Sequence, residues 1–221
     1  MNTETPVVEL EDYYLAPQDE SRGFAGVNFC LQRGEVVALR TERPADGRML
    51  MRALATWVSP LAGVYRFMGT PLDFSDYRSL LPIKAKIGYI GSDASMISNR
   101  SVRENLLLQR FYWENRLGID LHEKARSLCR QFDILNKLDM RAAQVNSRDY
   151  MIAICIRELT KSPEMVLFSQ PEDFIGHAHL EMLVERWSSI VDNNITVVVF
   201  SYDDNIIDAL ANRTVTLETT S

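Results

Sequence analysis

Residues 34–55 read as a strand, a turn and a helix in close succession, and this order constrains the fold more than any other feature of the sequence. An apolar run of strand type covers residues 35–39, and apolar side chains recur at helical spacing across residues 50–55. A Pro, an Asp and a Gly lie between the two and predict a tight connection. A phosphate-binding P-loop has this outline. Its G-x-x-x-x-G-K-[ST] pattern is absent, because both the Lys and the hydroxyl residue after it are missing.

Length and composition predict an ordinary globular protein. The 221 residues suffice for a sizeable core, and the hydrophobic (46%) and charged (24%) fractions are typical of globular domains. The net charge of −6 disfavours a general nucleic-acid binder, so no nucleic-acid partner is expected. Cys30, Cys129 and Cys155 are widely spaced and predict buried apolar positions in a reducing compartment. Because neither a signal-peptide pattern nor a membrane-spanning apolar run is present, we expect a cytoplasmic location.

Hydrophobic patterning predicts strands that alternate with helices. Strands are expected at residues 7–10, 24–31, 35–39, 63–67, 87–90, 165–168, 195–200 and 214–217. Besides the helix that contains residues 50–55, helices are expected at residues 102–116, 121–132, 149–161, 180–191 and 205–210. The polar residues 12–23 predict a loop.

The alternation of strands and helices predicts an α/β fold with a largely parallel sheet that helices cover. Residues 92–148 carry no strand signal and predict an all-helical insertion. We therefore predict one domain over residues 1–221. Its α/β core comprises residues 1–91 and 149–221, and its helical subdomain comprises residues 92–148.

Four blocks of sequence carry a resemblance to a known family. They read V-N-F-C-L-Q-R-G-E-V-V-A-L (residues 27–39), I-G-Y-I (87–90), S-V-R-E-N-L (101–106) and R-E-L-T-K-S-P-E-M-V-L-F (157–168). In this order and at this spacing, the chain resembles the nucleotide-binding subunit of ABC transporters over about residues 7–217. The resemblance implies a RecA-like P-loop NTPase core, an N-terminal antiparallel β portion and an α-helical subdomain insertion.

In ungapped register with that family, the P-loop residues that bind phosphate are replaced. The matched positions are Thr41, Asp46, Gly47, Arg48 and Met49. A working loop needs glycines so that backbone N–H groups can surround the phosphate, and a lysine that offsets its charge. A carboxylate ~4 Å from a phosphate oxygen would cost about 1–4 kcal/mol. We expect Asp46 to cap the helix instead, as a built-in anion at a vacated phosphate site.

The other positions that serve ATP in the family also differ. The Q-loop Gln matches Ser92, the Walker B Asp and the Glu after it match Ser169 and Gln170, the D-loop Asp matches Gly176, and the switch His matches Tyr202. An amide cannot act as a general base, so Gln170 would not activate water.

The signature sequence L-S-G-G-Q of the family corresponds to Val145, Asn146, Ser147, Arg148 and Asp149. Both glycines are replaced, so the backbone would not approach a γ-phosphate closely. Taken together, these replacements imply a chain without ATP hydrolysis, with no metal site and with ATP and Mg²⁺ binding lost or weak.

Arginines cluster near the P-loop position. Arg40, Arg43 and Arg48 are expected to pair with Glu42 and Asp46, or alternatively to hold an anion.

An aromatic run lies in the predicted helical subdomain. Phe111, Tyr112 and Trp113 are adjacent, and three adjacent rings spread around a helix, so at least one is expected to be exposed. In the family this region lies close to the groove that receives the membrane subunit. The run therefore predicts either a partner contact or ordinary subdomain packing.

The leading hypothesis is a pseudo-ATPase that acts as a scaffold or regulator in a membrane transport assembly. Its expected partners are a membrane-embedded subunit, another ABC-type ATPase subunit, or both, as a homodimer or heterodimer on the cytoplasmic face of a membrane. One alternative is a free-standing regulator or adaptor that re-uses the ABC fold. Another is an ATP-binding transporter subunit with residual nucleotide binding.

Overall fold

The computed structural model describes residues 5–116, 118–175 and 195–218. The predicted helix at residues 180–191 and the D-loop position Gly176 lie outside the described residues.

An antiparallel sheet forms the N-terminal part of the chain, as the resemblance implied. Its strand order is β2-β1-β4-β5, with β1 at Val8–Leu15, β2 at Phe24–Leu31, β4 at Ala62–Phe67 and β5 at Thr70–Pro71. The predicted bounds of β2 are confirmed. The short strand β5 had no counterpart in the prediction.

Strand β1 is longer than predicted, and the start of the predicted loop at residues 12–23 is wrong. Tyr13 and Leu15 are buried, and the pairing of β1 with β2 shifts register on both sides of Tyr13. Asp12 adopts a positive φ of 43°. These irregularities let the polar residues face outward while the strand continues, a feature that strict alternation does not reveal.

A parallel sheet forms the centre of the protein. Its order is β6-β7-β8-β3-β9, with β3 at Val36–Thr41, β6 at Ile87–Gly91, β7 at Met165–Ser169, β8 at Thr196–Phe200 and β9 at Arg213–Leu217. All neighbours pair in parallel, so their carboxyl ends meet at one edge of the sheet. The residues of β6, β7 and β8 are all buried, as expected for strands with both faces covered.

Seven α-helices are present in the described residues. They are α1 at Pro44–Leu54, α2 at Leu81–Lys86, α3 at Val102–Glu114, α4 at Glu123–Gln131, α5 at Ser147–Thr160, α6 at Glu172–Ile175 and α7 at Asp204–Leu210. The region predicted as a helical insertion contains α3, α4 and two 3₁₀ turns at Leu135–Lys137 and Ala142–Gln144. Ser101 and Glu104 form a capping box at the start of α3, which fixes its first residue.

Alternate residues of the central strands enter two different apolar clusters. Phe168 and Val199 pack with the helices α3, α4 and α5 on one face of the parallel sheet. Leu167 and Val198 pack with α1 and the antiparallel sheet on the other face. Because successive side chains of a strand point to opposite faces, the central sheet packs against the helical part on one face and against the antiparallel sheet on the other.

Helix α1 begins at Pro44, so the predicted tight connection at Pro44, Asp46 and Gly47 is wrong. Pro is favoured in the first turn of a helix, where its missing N–H is not needed, and an acidic side chain suits the positive helix end. The N-cap is Arg43, which makes no side-chain capping bond. Gly47 lies against the ring of Phe200, and a Cβ atom there would be 2.0 Å from the Phe200 Cζ.

The three cysteines do not share one environment. Cys129 and Cys155 are buried, and burial raises the pKa of their thiols to about 11 and about 12. Cys30 is exposed, which corrects the prediction. It lies between Phe29 and Leu31, which face the core, so alternation along β2 turns Cys30 outward.

A buried carboxylate joins α5 to β6. Glu158 accepts hydrogen bonds from Arg157 Nε at 2.8 Å and from the backbone N–H of Tyr89 at 3.2 Å, and it pairs with Lys161. Burial opposes ionisation of this carboxyl, but Lys161 and Arg157 outweigh it and hold the pKa of Glu158 below its ordinary value.

Gly47→Ala tests the contact between α1 and β8. Ala is the better helix former, so an unconstrained helix would gain stability. Here we expect a loss of about 1–3 kcal/mol in the free energy of unfolding, measured by urea denaturation, because the Cβ atom overlaps the Phe200 ring. Gly118→Ala is the matched control, since its Cβ atom would meet nothing within 4 Å.

A double-mutant cycle gives a second check of this contact. Phe200→Leu should lower the free energy of unfolding less in the Gly47→Ala background than in the wild type. Additive losses would contradict the contact.

Glu158→Gln tests the buried ion cluster. We expect a loss of about 3 kcal/mol at neutral pH, because the two cations lose their partner. The pKa of Glu158 is lowered by folding, so its contribution is complete above the unfolded value of about 4.3 and declines as pH falls through the folded value. The difference between wild type and variant in urea denaturation should therefore shrink in acid. Glu123→Gln, in the exposed pair with Arg130, should change stability by about 0–1 kcal/mol.

Candidate functional site

The carboxyl edge of the parallel sheet brings together five positions that the family resemblance singled out. Thr41 ends β3, Ser92 follows β6, Ser169 ends β7 and Gln170 follows it, and Tyr202 lies just after β8. In parallel α/β sheets, ligands bind at this edge. The structure therefore brings the five positions matched to the family's ATP site together at this edge.

Tyr202 joins the ends of β8 and β3. Its hydroxyl donates to the backbone carbonyl of Thr41 at 3.0 Å and lies 3.1 Å from Thr41 Oγ1. The Tyr202 ring packs edge-on against Phe200, with centroids 5.4 Å apart. Glu172 accepts from the backbone N–H of Tyr202 and from Ser201 Oγ, each at 3.0 Å. Thr41, Phe200 and Glu172 thus hold Tyr202, the position matched to the switch His, in place.

Arg48 and Gln170 bond to each other across the site. Arg48 Nη1 donates to Gln170 Oε1 at 3.0 Å, and the backbone N–H of Gln170 donates to the Phe200 carbonyl at 2.7 Å. Gln170 is buried and adopts a positive φ of 46°, which is uncommon outside glycine. Positions matched to the P-loop and to the residue after Walker B are therefore joined by a direct hydrogen bond.

Asp46 is fully buried and does not cap α1, which corrects the prediction. It lies in the first turn, and its Oδ1 accepts from Ser21 Oγ at 2.7 Å and from the backbone N–H of Arg22 at 2.9 Å. Its Oδ2 has no hydrogen-bond partner in the described part of the chain. The carboxylate thus fastens the connection between β1 and β2 over the start of α1.

A cavity of about 480 Å³ lies beside this connection, between residues 18–21 and the exposed side of α1. Arg48 and Arg52 face Asp19 and Glu20 across it. Arg52 pairs with Asp19 at 3.7 Å and with Asp93 at 2.8 Å, so the charges that line this cavity largely balance one another.

Ser92 is exposed, and Ser169 is buried behind Gly91. Beside Ser92, Asp93 holds Arg52 in the ion pair described above.

The signature positions form the start of α5. Asn146 is the N-cap, and its side chain accepts from the backbone N–H of Asp149 at 2.9 Å. The buried Asp149 carboxylate accepts from Asn146 Nδ2 at 3.0 Å and lies 3.4 Å from Arg148 Nη1. Ser147 is exposed, and Val145 packs against the apolar cluster of the helical region. The side chains of this segment therefore serve its own helix end.

The arginine cluster pairs differently from the prediction. Arg40 forms an ion pair with Asp204, and Arg48 bonds to Gln170, so the expected pairing of these two with Glu42 and Asp46 is wrong. Asp46 is buried under Ser21 and is out of reach, which the sequence spacing did not reveal.

The aromatic run on α3 divides as its spacing predicts. Phe111 packs inward, whereas Tyr112 is 67% and Trp113 is 52% exposed, with their rings edge-to-face at 5.1 Å. Both line a cavity of about 290 Å³ with Leu81 of α2 and Leu108 of α3.

A third cavity, of about 270 Å³, adjoins the cavity beside Tyr112 and Trp113. It is lined by Trp57, which is 48% exposed and stacks on Tyr89 with centroids 4.4 Å apart. The two cavities share four lining residues, so we treat them as one surface, the Trp57–Trp113 groove. The shared residues are Lys84, Arg157, Glu158 and Lys161.

Sequence reasoning missed Trp57 and Lys84. A large aromatic residue three positions after the end of α1 was a usable signal for Trp57. No local signal marked Lys84, because its neighbours in the groove come from α3 and α5, far away in the sequence.

Within residues 5–116, 118–175 and 195–218, no three His, Cys, Asp or Glu side chains form a group that could hold a metal ion. No helix in these ranges is long and apolar enough to cross a membrane.

No protein-family model matches the chain. The chain is 21% identical over 205 residues to the macrolide export ATP-binding/permease protein MacB of Hyphomonas neptunium, covering 91% of this chain and 32% of that protein. It is 21% identical over 192 residues to the cell division ATP-binding protein FtsE of Escherichia coli, covering 87% and 86%. It is 22% identical over 229 residues to the phosphonates import ATP-binding protein PhnC of Lactobacillus gasseri, covering 96% and 88%. The chain thus spans less than half the length of some relatives: the match covers 41% of the ribose import ATP-binding protein RbsA of Hahella chejuensis.

Solved structures of the same fold cover nearly the whole chain. The dimeric bacterial ABC transporter cassette MJ0796 superposes with a TM-score of 0.77 at 17% identity, covering 96% of this chain and 94% of that one. The protein cbiO1 of Clostridium perfringens superposes with a TM-score of 0.74 at 15% identity, covering 99% and 88%. The predicted core, antiparallel portion and helical insertion match this fold. The chain is therefore related to the ATP-binding subunits of ABC transporters and has the fold of their ATPase cassette.

Proposed function

We propose that this chain is a non-catalytic ABC-type subunit that acts as a scaffold or regulator in a membrane transport assembly. One observation carries the proposal: α1 begins at Pro44, so the segment matched to the phosphate-binding loop is the first turn of a helix.

The residues at this position do not fit a bound phosphate. Only Glu42 and Arg43 connect β3 to α1, and Pro44 has no N–H. The N–H groups of Asp46 and Gly47 point to the Arg43 carbonyl, at 3.1 and 3.4 Å. A P-loop instead turns such groups towards the phosphate oxygens. The buried Asp46 carboxylate adds a negative charge at the same place.

The residues do not fit magnesium either. Mg²⁺ bound with ATP takes a hydroxyl from the P-loop and is held by an Asp at the end of the Walker B strand. Arg48 and Met49 stand at the P-loop hydroxyl position and Ser169 at the Walker B position, and Arg48 bonds to Gln170 there. Gln170 is an amide and offers no base that could take a proton from water. No catalytic step is therefore assigned to this chain.

The names of the related proteins support a role of this chain in an assembly with other subunits. MacB is named as an ATP-binding/permease protein, cbiO1 is described as part of an ABC transporter complex, and MJ0796 is dimeric. By analogy, this chain binds a membrane-embedded subunit, another ABC-type ATPase subunit or a second copy of itself, at the cytoplasmic face of a membrane. The Trp57–Trp113 groove supports such a contact, because it exposes large aromatic side chains.

A thermal-shift titration with Mg-ATP tests the loss of nucleotide binding. A ligand at about 100 times its dissociation constant stabilises a protein by about 2.7 kcal/mol. In a protein of this size that raises Tm by roughly 5–10 °C. We expect no shift for this chain at millimolar Mg-ATP and no release of phosphate. The Escherichia coli FtsE protein is the positive control. A clear shift would instead support an ATP-binding subunit with residual binding.

Fractionation of cells that produce the tagged chain at native level tests the assembly. We expect the chain in the membrane fraction together with an integral membrane protein, and its release when that protein is removed. Recovery only in the soluble fraction, without a membrane partner, would contradict the assembly and support the free-standing regulator.

A further inference from the structure

We propose that the outer edge of β9 pairs with the same edge of a second copy of this chain, so that two antiparallel β9 strands join the parallel sheets of the two copies. This inference goes beyond the proposed function, because the interface requires neither a nucleotide nor a membrane subunit.

The first step compares β9 with the other strands that lie at the edge of a sheet. Strand β6 is buried at every residue, and the backbone N–H of Tyr89 donates to Glu158. Strand β5 has two residues, one of which is Pro71. Strand β2 pairs irregularly with β1, and its Cys30 carbonyl accepts a hydrogen bond from Arg213. Each of these three edges thus has a feature that hinders pairing with another chain.

Strand β9 has none of these features. It reads R-T-V-T-L, contains neither proline nor lysine, and is buried at no residue. Its pairing with β3 is regular over all five residues. In the described part of the chain, β3 is the only strand that pairs with β9. Because a free strand edge recruits another strand and natural proteins usually block it, this edge indicates an interface.

The second step concerns the backbone groups on the outer side of β9. Just before the strand, the N–H of Asn212 donates to the Val36 carbonyl at 2.8 Å. Successive residues of a strand point their backbone groups to opposite sides, so those of Val215 and Leu217 point away from β3. Each of these two residues offers one N–H and one C=O. An added strand can therefore bond to them without disturbing the pairing with β3.

The third step selects a second copy as the added strand. Val215 and Leu217 are half-buried and pack on the apolar cluster of the antiparallel sheet, whereas Thr214 and Thr216 are exposed. In an antiparallel pair centred on Thr216, Val215 of one copy lies opposite Leu217 of the other, and Thr216 lies opposite itself. Apolar and Thr–Thr cross-strand pairs both stabilise a sheet. This register also bonds the outward-facing backbone groups of the two copies to each other, so β9 is complementary to itself.

Sedimentation equilibrium of the purified chain tests the dimer. One pair of short strands buries little area, so we expect reversible dimerisation with a dissociation constant in the micromolar range. Val215→Pro should weaken dimerisation at least about tenfold, because proline removes an outward-facing N–H and leaves the bonds to β3 in place. Val215→Ile is the matched control, since it keeps the N–H and an apolar β-branched side chain, and it should change the dissociation constant by less than about threefold.

Disulfide formation gives a second readout, which does not depend on the proline variant folding. In a Cys30→Ser background, Thr216→Cys should form a covalent dimer when oxidised by oxygen with a copper catalyst. The two copies of this position face each other in a non-hydrogen-bonded pair, with Cα atoms about 4.5 Å apart. Thr214→Cys is the matched control, because its two copies would lie about 14 Å apart, too far for a disulfide.

Three outcomes would each overturn the inference. The first is a wild-type chain that stays monomeric up to its highest soluble concentration. The second is Val215→Pro that dimerises as tightly as the wild type, and the third is Thr214→Cys that crosslinks as readily as Thr216→Cys. These measurements contain no nucleotide, so Mg-ATP binding in the thermal-shift titration would contradict the proposed function without affecting this result.

Discussion

The close contact between Gly47 and Phe200 determines how the centre of this protein is arranged. Phe200 is the last residue of β8, and its ring occupies the space that a side chain at position 47 would need. Helix α1 can therefore begin early and lie directly on the carboxyl edge of the sheet. The early start leaves only two residues, Glu42 and Arg43, between β3 and α1.

Around this contact, side chains of the chain bond to one another at positions that serve ATP in related proteins. Tyr202 bonds to Thr41, Arg48 bonds to Gln170, and Asp46 bonds to Ser21 and Arg22. Each bond links elements that are separate in sequence, so together they fasten β3, α1 and the ends of β7 and β8. A buried polar group without a partner is costly, and these bonds provide partners within the chain itself, although Asp46 Oδ2 has none among the described residues. The proposed role as a scaffold is consistent with an edge whose residues bond to one another.

The Trp57–Trp113 groove depends on α1 as well, and also on α2 and α3. Trp57 is placed by the end of α1, Lys84 by α2, and Trp113 by the last turn of α3. The buried ion cluster of Glu158 forms the floor that these elements share. A change in the packing of α1 on the sheet would therefore also alter one wall of the groove.

The sequence alone determined the α/β class, the bounds of β2, the helical character of residues 92–148 and the start of α3 at its capping box. These features depend on local pattern: apolar period, alternation and the hydrogen bonds of one helix turn. The family resemblance also named Thr41, Ser92, Ser169, Gln170 and Tyr202, which the parallel pairing of the strands brings together at the carboxyl edge. Only the tertiary structure decided that α1 begins at Pro44, that Asp46 bonds to Ser21, that β1 continues to Leu15 and that Lys84 lies between two aromatic surfaces. Each of these depends on contacts between segments far apart in the chain, such as the Phe200 ring against Gly47, and no local pattern encodes which distant side chain fills a given space.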